Sequence, residues 1–481
     1  MNTQKKKPNI LIFMTDQHRY ECLGCHGHPM VKTPNIDKLA EDGMDFQRTY
    51  SQSAICMPSR VSLFTGQYLH THGIQGNDKQ ADVSGLTTLP KLLKDDYGYQ
   101  TAAIGKTHSG HCDDMGFQYG RICGGENDGE KNDYAEYLSN AGYEGEWYTN
   151  GWNDKKVIRE YYEYVSEIPY EHNVESWTGN ETIKYLDTID KEKPFLIWSS
   201  FERPHPPMCV PKDNPFPYDP NEIELPPYDE KWYNKPGTKR PGCENMWNVF
   251  HSGEDKLRQT IANYYSLISM IDDQIGRIIK KLDKIGELEN TIIIFTADHG
   301  DFCGEYGQFG KNLSTFDVLY RIPMILCWKG KTCKEQIYEL TEMIDIMPTL
   351  LDLCDINIPR TVQGQNLANA VRGNTLQCGT PWDAKDAVFF ETPFVKTVRT
   401  KTHKLSICWK EKTSWGQLYD LDADPKELEN LYDNPTYTYI QHDLEMRLLR
   451  WYIQTEQPQV HEAGRSETSP PWRWYRAQAL Q

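Results

Sequence analysis

The stretch Asn9-Ile10-Leu11-Ile12-Phe13-Met14-Thr15-Asp16-Gln17-His18 sets the reading of this chain. An unbroken apolar run, without the polar alternation of a half-exposed strand, predicts a short strand buried on both faces of a parallel sheet. The run ends at Thr15-Asp16. Asp16, Gln17 and His18 therefore fall at the carboxyl end of the strand, where open α/β sheets bind ligands.

Working outward, the pattern recurs. Tyr99 to Ile104 reads as a strand leading into Gly105-Lys106-Thr107-His108. Phe195 to Ser200 leads into Phe201-Glu202-Arg203-Pro204-His205, and Thr291 to Thr296 into Ala297-Asp298-His299-Gly300-Asp301. Ile322 to Trp328 is a further strand, and Met44 to Tyr50 another. Helices are predicted from Thr33 to Gly43, Leu89 to Lys94, Thr178 to Thr188, Asp255 to Leu282 and Thr341 to Leu353, the last with Pro348 at a kink or end. Strands alternating with helices define an α/β fold with a mostly parallel central sheet flanked by helices. Two irregular excursions, 110–177 and 211–243, interrupt it. From Ala387 the pattern becomes short strands and turns, then a helix near His442 to Gln454, a small α+β appendage with an antiparallel sheet. The expected organisation is a catalytic domain over 1–380 and a C-terminal subdomain over 381–481.

A net charge of −17 over 481 residues argues against a nucleic-acid partner, whose phosphates require a basic face. Thirteen scattered cysteines, an odd number, read as reduced thiols. No apolar run approaches the ~18 residues of a membrane span. The run after the basic start is too short for a signal peptide. A soluble, cytoplasmic chain with no membrane partner is expected. The sequence leaves the oligomeric state open.

The most reactive stretch is Ser53-Ala54-Ile55-Cys56-Met57-Pro58-Ser59-Arg60, running on to Thr65-Gly66. Pro58 suits a first helical turn, Ser59 can cap it and Gly66 can end it. Cys56 then sits just ahead of a helix N-terminus, where free N–H groups and the dipole favour a thiolate. Arg60, one turn on, suits an oxyanion. A buried structural cysteine beside a surface arginine fits the same spacing.

The strand ends supply more chemistry. Asp16, Gln17, Asp298 and His299 offer two carboxylates, an amide oxygen and an imidazole, a set that can hold Ca²⁺, Mg²⁺ or Mn²⁺. Strand-end aspartates that merely cap helices are the plainer alternative. Lys106, His108, His205 and Lys311 would place ammonium and imidazole groups over the same sheet edge, as an anionic ester needs.

Cys56-Met57-Pro58-Ser59-Arg60 resembles the Cys-x-Pro-Ser-Arg signature of type I sulfatases, enzymes of the alkaline-phosphatase-like superfamily. Thr33 to Ala40, Gly105-Lys106-Thr107-His108, Pro204-His205-Pro206, Thr296 to Gly300 and Leu418-Tyr419-Asp420-Leu421 resemble further blocks of that family, in order along the chain. The resemblance implies a sulfuric ester hydrolase acting on an aryl or carbohydrate sulfate, a small molecule or an oligosaccharide. It implies that a maturation enzyme oxidises Cys56 to formylglycine, whose hydrate is the nucleophile, and that Arg60 orients that hydrate. Asp16, Gln17, Asp298 and His299, with the residue at 56, would hold a divalent metal, usually Ca²⁺. Lys106 and Lys311 would contact the sulfate, His108 would assist its release, and His205 would protonate the leaving alcohol.

The chain departs from the pattern at Gln17, where many members carry a second Asp, and at His299, where some have Asn. Gln17 with His299 also occurs in relatives that hydrolyse phosphonate monoesters or phosphodiesters, an alternative activity on the same fold. A non-catalytic metal- and anion-binding protein is a third reading. Cys22-Leu23-Gly24-Cys25-His26 matches a haem-attachment pattern, with His28 nearby as a zinc ligand. No second cysteine pair follows at zinc-finger spacing. The segment is instead read as the loop leaving the first strand, lining the pocket with His18 and Arg19. His111, Glu202, Arg203 and Arg399 are further candidate lining residues.

Overall fold

A computed structural model describes residues 7–77, 82–124, 132–143, 165–227, 253–373, 384–409 and 414–456. Its strands are β1 (Asn9–Asp16), β2 (Met44–Phe46), β3 (Thr49–Tyr50), β4 (Gln100–Lys106), β5 (Tyr119–Cys123), β6 (Val165–Ser166), β7 (Phe195–Pro204), β8 (Val210–Pro211) and β9 (Thr291–Ala297), followed by β10 (Arg321–Ile322), β11 (Met324–Trp328), β12 (Glu335–Ile337), β13 (Thr341–Glu342), β14 (Ala387–Glu391), β15 (Val395–Thr400), β16 (His403–Cys408) and β17 (Trp415–Asp420). Eight of them form the central sheet in the order β12-β2-β11-β9-β1-β7-β4-β5. β1 pairs in parallel with both β7 and β9, and β4 in parallel with β7 and β5. Only β11 runs against its neighbours. The sheet is thus mixed but mostly parallel, as expected.

β1 explains why an unbroken apolar run was needed. Ile10, Ile12 and Met14 enter one core, Leu11 and Phe13 the other, and all five are fully buried. The first core is closed by helix α2 (Cys56–Thr65) and the helices Leu89–Tyr97 and Ile346–Leu353. The second is closed by helix α1 (Pro34–Asp42) and the helices Val174–Leu186 and Glu254–Lys284. Helices on both faces leave no polar side for the strand. Each fully buried Leu, Ile or Phe contributes roughly 1.5–3 kcal/mol of apolar transfer.

The structure departs from the expected elements at several points. Met44 to Tyr50 is two strands: β2 joins the central sheet, while β3, after a turn, pairs with β10 and β13 in a separate sheet. Ile322 to Trp328 is likewise split, because Pro323 has no N–H for the ladder. The segment from Thr341 begins as β13, passes through a 3-10 turn over Met343–Asp345, and becomes α-helix only at Ile346. Pro348 lies in the first turn of that helix, where its missing N–H costs nothing, so it makes no kink. The excursion expected from residue 110 begins with a short helix, Cys112–Met115, followed by β5, the edge strand of the main sheet.

The appendage is a four-stranded antiparallel sheet, β14-β15-β16-β17, backed by the helix Thr438–Thr455. Leu405, Leu418, Leu444 and Trp451 form its core together with Tyr68 and Ile344 of the main body. Lys385 reaches back to Glu342 and Asp345. The expected boundary at 380/381 lies outside the described residues.

Candidate active site

β1 and β9 are adjacent and parallel, and their carboxyl ends carry Asp16 and Asp298. The ladder extends one step past the strands, with the Asp298 N–H donating to the Thr15 carbonyl at 3.1 Å. Residues 282 positions apart therefore meet. Gln17 follows with a left-handed φ of 67°, which turns the chain sharply out of β1. Its N–H donates to Asp298 Oδ1 at 3.0 Å, and its carbonyl accepts from the Tyr264 hydroxyl at 2.8 Å.

α2 delivers the other half of the site. It begins at Cys56, every residue in it is buried, and Gly66 closes it with φ 65°. Ser59 does not cap this helix. Its hydroxyl donates to the Asp298 carbonyl at 2.6 Å, which fastens α2 to the end of β9. Arg60 is fully buried between two carboxylates. Nε donates to Asp298 Oδ2 at 2.9 Å and Nη2 to Asp16 Oδ2 at 3.0 Å. Nη1 serves the Lys106 and Thr107 carbonyls and the Ser200 hydroxyl. The guanidinium thus fixes the acidic pair and the end of β4.

Cys56 Sγ lies 3.4 Å from His299 Nε2 and 3.7 Å from Asp16 Oδ1, and it accepts from Lys311 Nζ at 2.6 Å. Lys106 Nζ meets Asp16 Oδ2 at 2.7 Å. It can do so because Gly105, at φ 98°, lets β4 approach β7 closely: a Cβ there would stand 1.9 Å from the Ser200 carbonyl oxygen. His205 is buried at the end of β7, and its Nδ1–H donates to the Pro206 carbonyl at 2.6 Å. The charged groups that act on it are Lys106, Asp16, Lys311 and Cys56. His108 is buried two residues beyond Lys106, with φ 43°.

The electrostatics follow from this crowding. Burial alone would raise the Asp16 carboxyl, but Lys106, Lys311, His205 and Arg60 together hold it well below the usual carboxylate range. Burial and Asp16 push the Cys56 thiol up, while Lys311, Lys106 and His299 outweigh them and bring it well below an ordinary thiol. Burial, then Lys106, keep His205 well below an ordinary histidine. The pocket is a buried corner of paired opposite charge, suited to an oxyanion with a cation beside it.

Asp16, Cys56, Asp298 and His299 place one ligand atom each within 4.8 Å of one another. His299 Nδ1–H donates to the Gly300 carbonyl at 2.9 Å, which leaves the Nε2 lone pair facing the group. Gln17 Oε1 is buried without a hydrogen-bond partner. The Lys311 ammonium already sits among these donors, 2.9 Å from His299 Nε2 and 3.8 Å from Asp16 Oδ1. A donor set that attracts a cation and leaves an amide oxygen unsatisfied fits a divalent ion.

Sequence reasoning missed Asp301. It is buried, accepts from the Cys303 and Gly310 N–H groups, and takes the Gln17 side-chain amide. It lies in the Asp298-His299-Gly300-Asp301 block, but only the left-handed turn at Gln17 reveals its partner. Three pocket candidates are held in structural contacts. Burial holds His18 down to about 4, and it is enclosed by Thr15, the Cys22 carbonyl and the edge of Phe295. Arg19 pairs with Glu305 and donates to the Phe302 carbonyl. Arg399 pairs with Asp317 and covers Tyr50. Cys22 is packed in an apolar cluster, and His28 Nδ1 accepts from the Met30 and Val31 N–H groups, so neither serves the haem or zinc pattern.

The fold and site define a hydrolase of the alkaline-phosphatase-like superfamily, with a metal-and-anion corner at the carboxyl edge of a mostly parallel sheet. The sulfatase family profile matches residues 8–356, and the N-sulphoglucosamine sulphohydrolase C-terminal profile matches residues 304–454. An arylsulfatase of Clostridium perfringens is 31% identical over 90% of this chain and 91% of its own length. An N-acetylglucosamine-6-O-sulfatase of Bacteroides thetaiotaomicron is 27% identical over 93% of this chain and 87% of its own. Among solved structures, a phosphonate monoester hydrolase of Agrobacterium radiobacter superposes with a TM-score of 0.79 at 23% identity, covering 94% of this chain and 97% of that one. The chain belongs to the sulfatase family and is a sulfuric ester hydrolase. The family uses a metal ion and a formylglycine, and the buried donor set described above could hold a metal ion.

Proposed function

We propose that this sulfatase hydrolyses aryl or carbohydrate sulfate esters with formylglycine made from Cys56 by a maturation enzyme. The carrying observation is the place of Cys56. It is the first residue of a buried helix, in contact with Lys311, His299 and Asp16. The names of the arylsulfatase and N-acetylglucosamine-6-O-sulfatase relatives support the substrate class.

Asp16, Gln17, Asp298 and His299, with the residue at 56, would hold a divalent ion. Ca²⁺ suits so oxygen-rich a set. When bound, the ion supplies Lewis acidity to the sulfate oxygens, and formylglycine supplies a hydrate nucleophile. The other roles belong to the chain itself. Arg60 holds Asp16 and Asp298 rigid. Lys106 and Lys311 turn their ammonium groups toward the sulfate oxygens and stabilise developing charge. His205 is the acid for the leaving alcohol. Burial and Lys106 disfavour its charged form in the free pocket, and an anionic ester would favour it. His108 is the base for sulfate release. The thirteen scattered cysteines of the sequence support the reading of a reduced, cytoplasmic setting.

The deciding experiment uses protein whose Cys56 conversion has been measured by peptide mass. Its kcat/KM is compared on an aryl sulfate, an aryl phosphonate monoester and a panel of sulfated mono- and disaccharides. Sulfate preference supports the proposal. Phosphonate preference would move the chain to the sister activity that the Gln17–His299 pair also fits.

A further inference from the structure

We propose that Cys25, His26 and Asp45 form a second metal site, taking a zinc ion, which clips the loop after β1 to strand β2. The three side chains bring Sγ, an imidazole nitrogen and a carboxylate oxygen within 4.8 Å of one another. Sulfur, nitrogen and oxygen donors in one cluster match Zn²⁺ better than Ca²⁺ or Mg²⁺, which take oxygen alone. Three protein ligands leave a fourth tetrahedral position for water.

The hydrogen bonds around His26 point to a cation independently. Nδ1 stands 2.7 Å from the Tyr20 carbonyl oxygen, an acceptor, so Nδ1 carries the proton. In a neutral imidazole the lone pair then lies on Nε2, which faces Asp45 Oδ1 at 2.9 Å. Two electron-rich atoms meet with both side chains essentially sealed from solvent. A second proton on His26 would relieve that contact but leave Cys25 unused. A metal ion relieves it and engages all three.

The surroundings are built as a support shell. The Tyr20 ring stacks on His26 with centroids 4.1 Å apart. Gln47 Nε2 donates to Asp45 Oδ2 at 2.5 Å, leaving Oδ1 for the cluster. Asp37 Oδ1 accepts from the Cys25 N–H and the Thr33 hydroxyl, both at 2.8 Å, and adds negative field. Gly24 has no Cβ because one would stand 2.3 Å from Asp37 Oδ2. Cys25 is partly exposed and gives an ion its way in. The clip would close the segment of about twenty residues between Cys25 and Asp45, and so would also steady the chain that leaves the catalytic corner at Gln17.

The test uses the full chain carrying Cys56→Ala, so that the catalytic thiol cannot contribute, stripped with a chelator and titrated with Co²⁺. A thiolate-to-cobalt charge-transfer band should rise to one equivalent and be abolished by Zn²⁺. Cys25→Ser in that background should lose the band, and Asp45→Asn should weaken Zn²⁺ at least ~10-fold. Zn²⁺ should also raise the melting temperature of the parent more than that of Asp45→Asn. No band in the parent, or a band that survives Cys25→Ser, overturns the site. The parent spectrum decides even where a variant fails to fold.

Discussion

The side-chain amide of Gln17 donates through Nε2 to the carboxylate of Asp301, and this leaves Gln17 Oε1 buried with no hydrogen-bond partner. An amide held by its nitrogen has its oxygen orientation chosen for it. Asp301→Ala should therefore free Gln17 and weaken metal binding by 10- to 100-fold, the usual effect of losing an outer-shell partner. Calorimetric titration with Ca²⁺ would read this directly. Gln17→Asp should tighten the same titration by adding a charge. An unchanged affinity in Asp301→Ala would remove Gln17 from the ligand set.

Cys56→Ala should lower kcat on an aryl sulfate by at least about 10³-fold, while the protein stays folded. The matured Cys56 peptide should be lighter than its cysteine form. Full activity in Cys56→Ala would end the formylglycine mechanism.

Gly105→Ala tests how Lys106 reaches Asp16. The new Cβ would meet the Ser200 carbonyl at 1.9 Å on a backbone with φ 98°. No flexible side chain can yield there. We expect a loss of more than about 2 kcal/mol in urea denaturation and a fall in kcat/KM as β4 is pushed from β7.

Glu175 gives the pH dependence. It is fully buried in the helix Val174–Leu186, where one oxygen accepts from the Arg203 N–H at 3.1 Å and the other has no hydrogen-bond partner. Burial pushes its carboxyl up to about 7 from the ordinary 4.5, against the pull of Arg203 and Lys106. In that window the folded state keeps a proton that the unfolded chain has released. Stability from this group is therefore greatest at low pH, falls as pH rises from about 4.5 to 7, and levels off above. The whole change is on the order of 3 kcal/mol. Glu175→Gln should remove that slope and be more stable than the parent at pH ~8 by urea denaturation. Since Arg203 also donates to the His205 carbonyl at 2.8 Å, the same variant should shift the acid limb of kcat little if Glu175 serves only the fold.

Arg60 shows where local reading stopped. Its position one turn after Cys56 suggested a partner for an oxyanion. In the fold its donors go to Asp16, Asp298, two carbonyls of the β4 end and Ser200. Lys311 shows the converse. Its Gly-Lys context carried little information, yet its ammonium is a direct neighbour of Cys56.

The amino-acid order alone determined the layered α/β architecture. A run such as Ile10 to Met14 is stable only with apolar cover on both faces, and helices must supply it. It also determined which residues stand at strand ends, because the run stops where the charges begin. Tertiary structure decided the rest. Parallel pairing of β1 with β9 joined Asp16 to Asp298, and the close approach of β4 to β7 at Gly105 brought in Lys106. The left-handed turn at Gln17 handed its amide to Asp301. These depend on register and on backbone contact between segments far apart in sequence, which no local spacing encodes.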